Sequence, residues 1–134
     1  MLLLDTNILS EPIRRAPAPV VMQRWNRGQP GEFYTTVVCL MELRFGAAKA
    51  VKPGATWGRI EQTILPHCTV LPFTVEDALR AGEVQAALVR SNLALEWRDV
   101  MIAAVALCHD FTLVTRNIRH FQRITGLVVE NWFE

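Results

Sequence analysis

Three consecutive leucines, Leu2-Leu3-Leu4, followed at once by Asp5 constrain the fold of this chain more than any other stretch. An uninterrupted apolar triplet reads as a short strand buried on both faces, the pattern of a parallel sheet covered by helices. Asp5 ends it abruptly, and a carboxylate at such a boundary needs a partner, because burying an unpaired charge is costly. Two explanations are open. Asp5 caps the turn after the strand by accepting backbone N–H groups. Alternatively it stands at the carboxyl end of a central parallel strand, where open α/β sheets place their ligands, and binds a metal.

The chain has 134 residues, 51% hydrophobic and 20% charged, which predicts one globular domain over 1–134 with a single core and no disordered segment. No apolar run approaches membrane-spanning length, and Asp5 interrupts the leucines too early for a signal-peptide core, so a cytoplasmic protein without membrane association is expected. Cys39, Cys68 and Cys108 are odd in number, lie among apolar residues and lack paired metal spacing. They read as reduced core residues, forming neither a disulfide nor a zinc site. A net charge of +1 neither favours nor excludes nucleic acid. Arg14, Arg15, Arg24 and Arg27 cluster early, and Arg116, Arg119, His120 and Arg123 late. These are either two local basic surfaces or solvated helix faces.

After Asp5 a helical turn forms around Ile8-Leu9-Ser10-Glu11, and a second helix runs from Val20 to Arg27, ended by Gly28. Phe33-Tyr34-Thr35 is a strand, followed by a helix from Val37 to Ala50 capped by Thr35 or Thr36. In that helix Val38, Met41, Phe45 and Ala48 suggest a core stripe with Glu42 on or beside it. Lys52-Pro53-Gly54 breaks the chain, and Trp57, Ile60, Ile64 and Leu65 mark an amphipathic helix ending at Pro66. Thr69 to Phe73 is a strand that Pro72 places at an edge or ends. Two long helices, Val75–Val89 and Asp99–His109, precede a strand at Thr112–Val114, a short helix at Asn117–Phe121 and a last strand at Leu127–Val129. Short strands alternating with helices imply parallel pairing, hence a three-layer α/β/α sandwich around a short-stranded, mainly parallel sheet.

Asp99 opens a helix whose next turns carry Ile102, Ala103 and Ala106, placing its carboxylate above an apolar face. It could be an N-cap, and so could Asn117 for the short helix that follows it. Taken together, Asp5, Glu42 and Asp99 are three acids at apolar–polar boundaries that can converge where parallel strands end. Like charges held close repel, and a bound cation compensates them. Carboxylates joined by an amide oxygen suit Mg²⁺ or Mn²⁺, ions that promote phosphodiester hydrolysis.

The stretches Leu2-Leu3-Leu4-Asp5-Thr6-Asn7-Ile8-Leu9-Ser10-Glu11, Met41-Glu42-Leu43-Arg44-Phe45-Gly46, Asp99-Val100-Met101-Ile102-Ala103-Ala104 and Leu113-Val114-Thr115-Arg116-Asn117-Ile118-Arg119-His120-Phe121 together resemble the PIN-domain ribonucleases of the VapC toxin family. Leu71-Pro72-Phe73 and Glu130-Asn131-Trp132 extend the likeness over essentially the whole chain. The resemblance implies a Mg²⁺- or Mn²⁺-dependent endoribonuclease, the toxin of a type II toxin–antitoxin system. It further implies a homodimer inhibited by a small antitoxin, through which alone it reaches DNA. Asp5, Glu42 and Asp99 match the three family acids, and Asn117 a fourth ligand position that is often aspartate. Thr6 and Thr115 match hydroxyl positions that orient water or a carboxylate, Thr115 being counted with the catalytic set. Arg98, Arg116, Arg119 and Arg123 are candidate RNA contacts; Arg98 either binds phosphate or points to solvent. Asn92 replaces a glycine in a left-handed turn. His67 and His120 read as structural or exposed residues. The four tryptophans, Trp25, Trp57, Trp97 and Trp132, could stack bases but more commonly fill cores or interfaces.

A reading from a different class is a catalytically weak module acting through metal, RNA and antitoxin binding. A phosphatase of the haloacid-dehalogenase type also opens on a strand-end aspartate but requires a second one two residues later, where this chain has Asn7.

Overall fold

The leucine triplet forms the central strand of the sheet. A computed structural model describes the chain from Met1 to Glu134. In it β1 (Leu2–Leu4) runs into α1 (Thr6–Leu9), α2 (Pro19–Asn26), β2 (Phe33–Thr36), α3 (Val37–Ala48), α4 (Pro53–Thr63), β3 (Thr69–Leu71), α5 (Val75–Arg90), α6 (Trp97–His109), β4 (Thr112–Val114), α7 (Ile118–Phe121) and β5 (Val129–Glu130). All strand pairs are parallel, in the order β3-β2-β1-β4-β5. Successive residues of a strand face opposite sides of a sheet. Leu3 and Leu4 are both wholly buried, so helices cover both faces, giving the expected α/β/α sandwich.

The winding sets the position of the site. From β1 the chain moves outward through β2 and β3, then returns across the sheet to β4 and β5 on the other side of β1. The direction therefore reverses between β1 and β4, and a crevice opens beyond the carboxyl ends of those two strands. Their register pairs Leu4 with Val114, and the ladder continues as the Asp5 N–H donates to Val114 O at 2.9 Å. Asp5 and Thr115 thus leave the sheet side by side.

Several boundaries and one face differ from the sequence expectation. In α3 the buried residues are Val38, Cys39, Leu43 and Ala47; Met41 and Phe45 are 62% and 64% exposed and Ala48 also faces solvent. The helix is apolar nearly all round, so three- and four-residue spacing fits more than one phase, and packing against α1, α4 and the sheet selects the Cys39–Leu43–Ala47 line. Pro53 begins α4 instead of breaking the chain, as proline at the first helical position requires no lost hydrogen bond. The third strand stops at Leu71, before Pro72, and the last is Val129–Glu130, not Leu127–Val129. Helix α6 starts two residues before Asp99 and ends on Asp110 at φ 56°, a left-handed cap. Asn92 adopts the expected left-handed backbone at φ 58°.

Cys39 is buried, whereas Cys68 and Cys108 are only partly so; all three are free thiols. Burial pushes Cys68 up to about 12. No helix is long and apolar enough to cross a membrane.

Phe33 fills the space between Trp25 and Trp132, with ring centroids 5.6 and 5.5 Å away. Gly28 lies against this ring so closely that a Cβ there would meet it at 2.3 Å. Because both flanking tryptophans are buried, the ring cannot yield. Gly28→Ala is expected to destabilise the protein by roughly 1–3 kcal/mol, the usual cost of overpacking, measured as a lower urea midpoint.

Candidate active site

Each acid arrives from a different element. Asp5 follows β1 and caps α1, accepting from the Thr6 N–H at 2.7 Å. Thr36 ends β2 and caps α3 by accepting from the Cys39 N–H at 3.1 Å, which sets the phase that brings Glu42 round one turn later. Asp99 lies in the first turn of α6, where a negative charge suits the helix dipole. No side-chain cap comes from Asp99 or Asn117; both take up positions facing the cleft instead.

The three carboxylates converge on one cation from the chain itself. Arg98 Nη2 lies 2.6 Å from Asp5 Oδ1 and 2.7 Å from Glu42 Oε1, its Nε donates to Glu42 Oε2 at 2.9 Å, and Nη1 donates to Asp99 Oδ1 at 2.8 Å. Arg98 therefore does not extend freely into solvent; all three of its side-chain nitrogens are engaged by the acids. The physical reason is charge. Asp5 is wholly buried, and Arg98 is the only arginine or lysine paired with it.

Hydroxyl groups complete the arrangement. Thr115 donates to Asp5 Oδ2 at 2.7 Å and accepts from the Asn117 N–H at 3.1 Å, while Thr6 donates to Glu42 Oε1 at 2.6 Å. Cys39 points its thiol at Asp5 Oδ1, 3.9 Å away, and is kept protonated by burial and by the Asp5 charge. Burial opposes the charge on Glu42, but hydrogen bonds from Arg98 and Thr6 outweigh it and hold this carboxyl below its ordinary value. The same carboxylates hold Arg98 firmly protonated against the desolvation that opposes its charge. Three acids against one guanidinium leave the centre net negative.

Above this floor lies a polar cleft of about 440 Å³, lined by Thr6, Asn7, Ser10, Glu42, Glu96, Arg98, Asp99, Asn117 and His120, without a hydrophobic side chain. His120 stands at its rim with Nδ1 3.1 Å from Asp99 Oδ2. Its place on Asp99 is not deducible from spacing alone. The remaining arginines divide. Arg116 and Arg119 line a neighbouring depression that shares Asn117 and His120 with the cleft, and Arg116 also stacks on Phe133 at 4.2 Å. Arg123 lines a separate cavity beside Arg80 and Leu93. Of the early cluster, Arg14 pairs with Glu11 at 3.6 Å and Arg24 with Glu130, so both serve the scaffold. His67 packs edge-on against Trp25.

An acid cluster at the switch point of a five-stranded parallel sheet defines a doubly wound α/β protein with a polar site beyond its strand ends, and comparison with known proteins gives its family. The PIN domain family model matches residues 2–127. The tRNA(fMet)-specific endonuclease VapC of Shigella flexneri is 35% identical over 130 residues, covering 97% of this chain and 96% of that protein. Toxin FitB of Neisseria gonorrhoeae is 30% identical over 139 residues and 100% of both chains. DNA-bound VapBC from Salmonella typhimurium superimposes with a TM-score of 0.88 at 30% identity, over 98% of this chain and 97% of that one. The chain belongs to the PIN-domain family, in its VapC branch.

Proposed function

We propose that this chain is an endoribonuclease toxin of a type II toxin–antitoxin system, dependent on Mg²⁺ with Mn²⁺ as a substitute. The observation that carries the reading is the convergence of Asp5, Glu42 and Asp99 on a single cationic group beyond β1 and β4. The donor set suits a hard divalent ion: carboxylates from three elements, an adjacent asparagine amide, and only one sulfur, held as a thiol. Asp5, Glu42 and Asp99 would hold that ion, with Asn117 beside them. When bound, it would supply an activated water and offset the charge that builds on the phosphate and leaving oxygen.

The protein's own groups prepare the substrate's place. Thr115 fixes one face of Asp5 and Thr6 fixes Glu42, so both carboxylates keep their orientation without reorganising. Arg116 and Arg119, which line the depression beside the cleft, would contact the phosphates of an RNA backbone bound there. The likeness to VapBC supports an antitoxin as partner, with DNA reached only through it, and a homodimer in the cytoplasm fits the same reading. Val37, Met41 and Phe45 give α3 an exposed apolar face suited to protein contact.

Purified protein is expected to cut RNA with Mg²⁺ or Mn²⁺ and to lose that activity in EDTA, regaining it when the ion is restored. RNA left intact under all of these conditions overturns the proposal. The engagement of Arg98 by all three acids favours one other reading, a PIN module with weak catalysis that acts by binding its partner. Growth arrest on expression, relieved by Asp99→Ala, excludes it.

A further inference from the structure

We propose that Arg98 is a resident counter-cation that competes directly with the divalent ion for the acid cluster, keeping the site latent when free metal is scarce. The inference rests on the metal-dependent reading above. Its geometric basis is that Nη2 is shared by Asp5 Oδ1 and Glu42 Oε1, at 2.6 and 2.7 Å, and also approaches Thr6 Oγ1 at 3.4 Å. A Mg²⁺ ion binding both carboxylates at about 2.1 Å would have to occupy nearly the same point. The two cations exclude each other by volume as well as by charge.

Arg98 is well placed to leave. Its side chain is 25% exposed and covers Asp5, which has no exposure, while Glu42 at 34% forms the open side of the cleft. The residue sits second in α6, so its flexible stem can swing toward solvent without moving the helix. Staying has its own advantage. With neither cation present, three carboxylates would face one another around a buried aspartate with nothing to offset their repulsion, which destabilises the fold. The acids are thus held in place by Arg98 until a divalent ion takes over.

Competition lowers apparent affinity by the fraction of molecules whose site is open. Mn²⁺ binding should be measured by calorimetry on the full chain for the wild type, Arg98→Met and Arg98→Lys, with thermal melting in EDTA and in Mn²⁺. Arg98→Met is expected to bind Mn²⁺ about tenfold or more tightly than wild type. It should melt roughly 5 °C lower in EDTA and recover the loss in Mn²⁺. Arg98→Lys keeps the charge but cannot fork between Glu42 and Asp99. Tighter binding by this variant too supports occupancy of the ion's position, whereas lysine behaving as wild type reduces the effect to through-space charge and overturns the proposal. Equal Mn²⁺ affinity in all three proteins overturns the competition alone and leaves the metal-dependent reading standing. No Mn²⁺ binding by any of them overturns both.

Discussion

Asp5→Asn is expected to lower RNA cleavage on the order of a thousandfold or more, the scale of losing a preorganised charged group at a reacting centre, while the protein remains folded. The substitution keeps shape and removes charge. The amide oxygen of the new side chain can still accept from the Thr6 N–H and from Arg98, and its NH₂ can donate to the Thr115 hydroxyl, which turns from donor to acceptor. Arg98 retains Glu42 and Asp99, so no charge is left buried and unpaired. Circular dichroism and the melting temperature should therefore change little. Cleavage within tenfold of the wild type would mean that Asp5 is the turn residue it resembles in isolation and that the acid cluster is not the reaction centre.

The structure shows that capping a turn is not the only task of Asp5. The same carboxylate caps α1 and enters the ion-pair cluster, using one oxygen for both tasks and the other for Thr115. The convergence of Asp5, Glu42 and Asp99 is legible in the sequence because strand ends and helix starts in a parallel sheet share one edge, so placing the elements places the acids. Arg98 is not legible there. Its position beside Asp99 is visible, but whether a side chain at a helix start turns to solvent or inward depends on which charges three other elements bring to it. His120 escapes for the same reason, since its partner lies 21 positions away. The face of α3 departs from expectation where the sequence carries least information: Met41 and Phe45 are as apolar as Leu43, and only the tertiary packing of the helix distinguishes them. Glu42 nevertheless reaches the cluster, because the Thr36 cap fixes the start of the helix whatever its buried face.

Trp132→Ala is expected to cost about 3–5 kcal/mol and to lower the melting temperature by roughly 10 °C or more, whereas Trp97→Ala changes stability by no more than about 0.5 kcal/mol. Residue type is the same and exposure decides, at 1% for Trp132 against 57% for Trp97. Trp132 packs on Phe33, lies beneath the Arg24 guanidinium at 5.3 Å and donates from Nε1 to Glu130 Oε1 at 3.2 Å. Glu130 also pairs with Arg24, so one indole ties α2 to the two-residue strand β5. That strand is too short to hold itself on the sheet by its ladder alone. The Glu130 carbonyl accepts from the Thr115 N–H at 3.0 Å, and Thr115 in turn orients Asp5. Loss of the indole should therefore loosen β5 and reduce cleavage even below the temperature at which the variant melts. An activity loss that appears only in parallel with unfolding would confine Trp132 to the scaffold and break the proposed link from the last strand to Asp5.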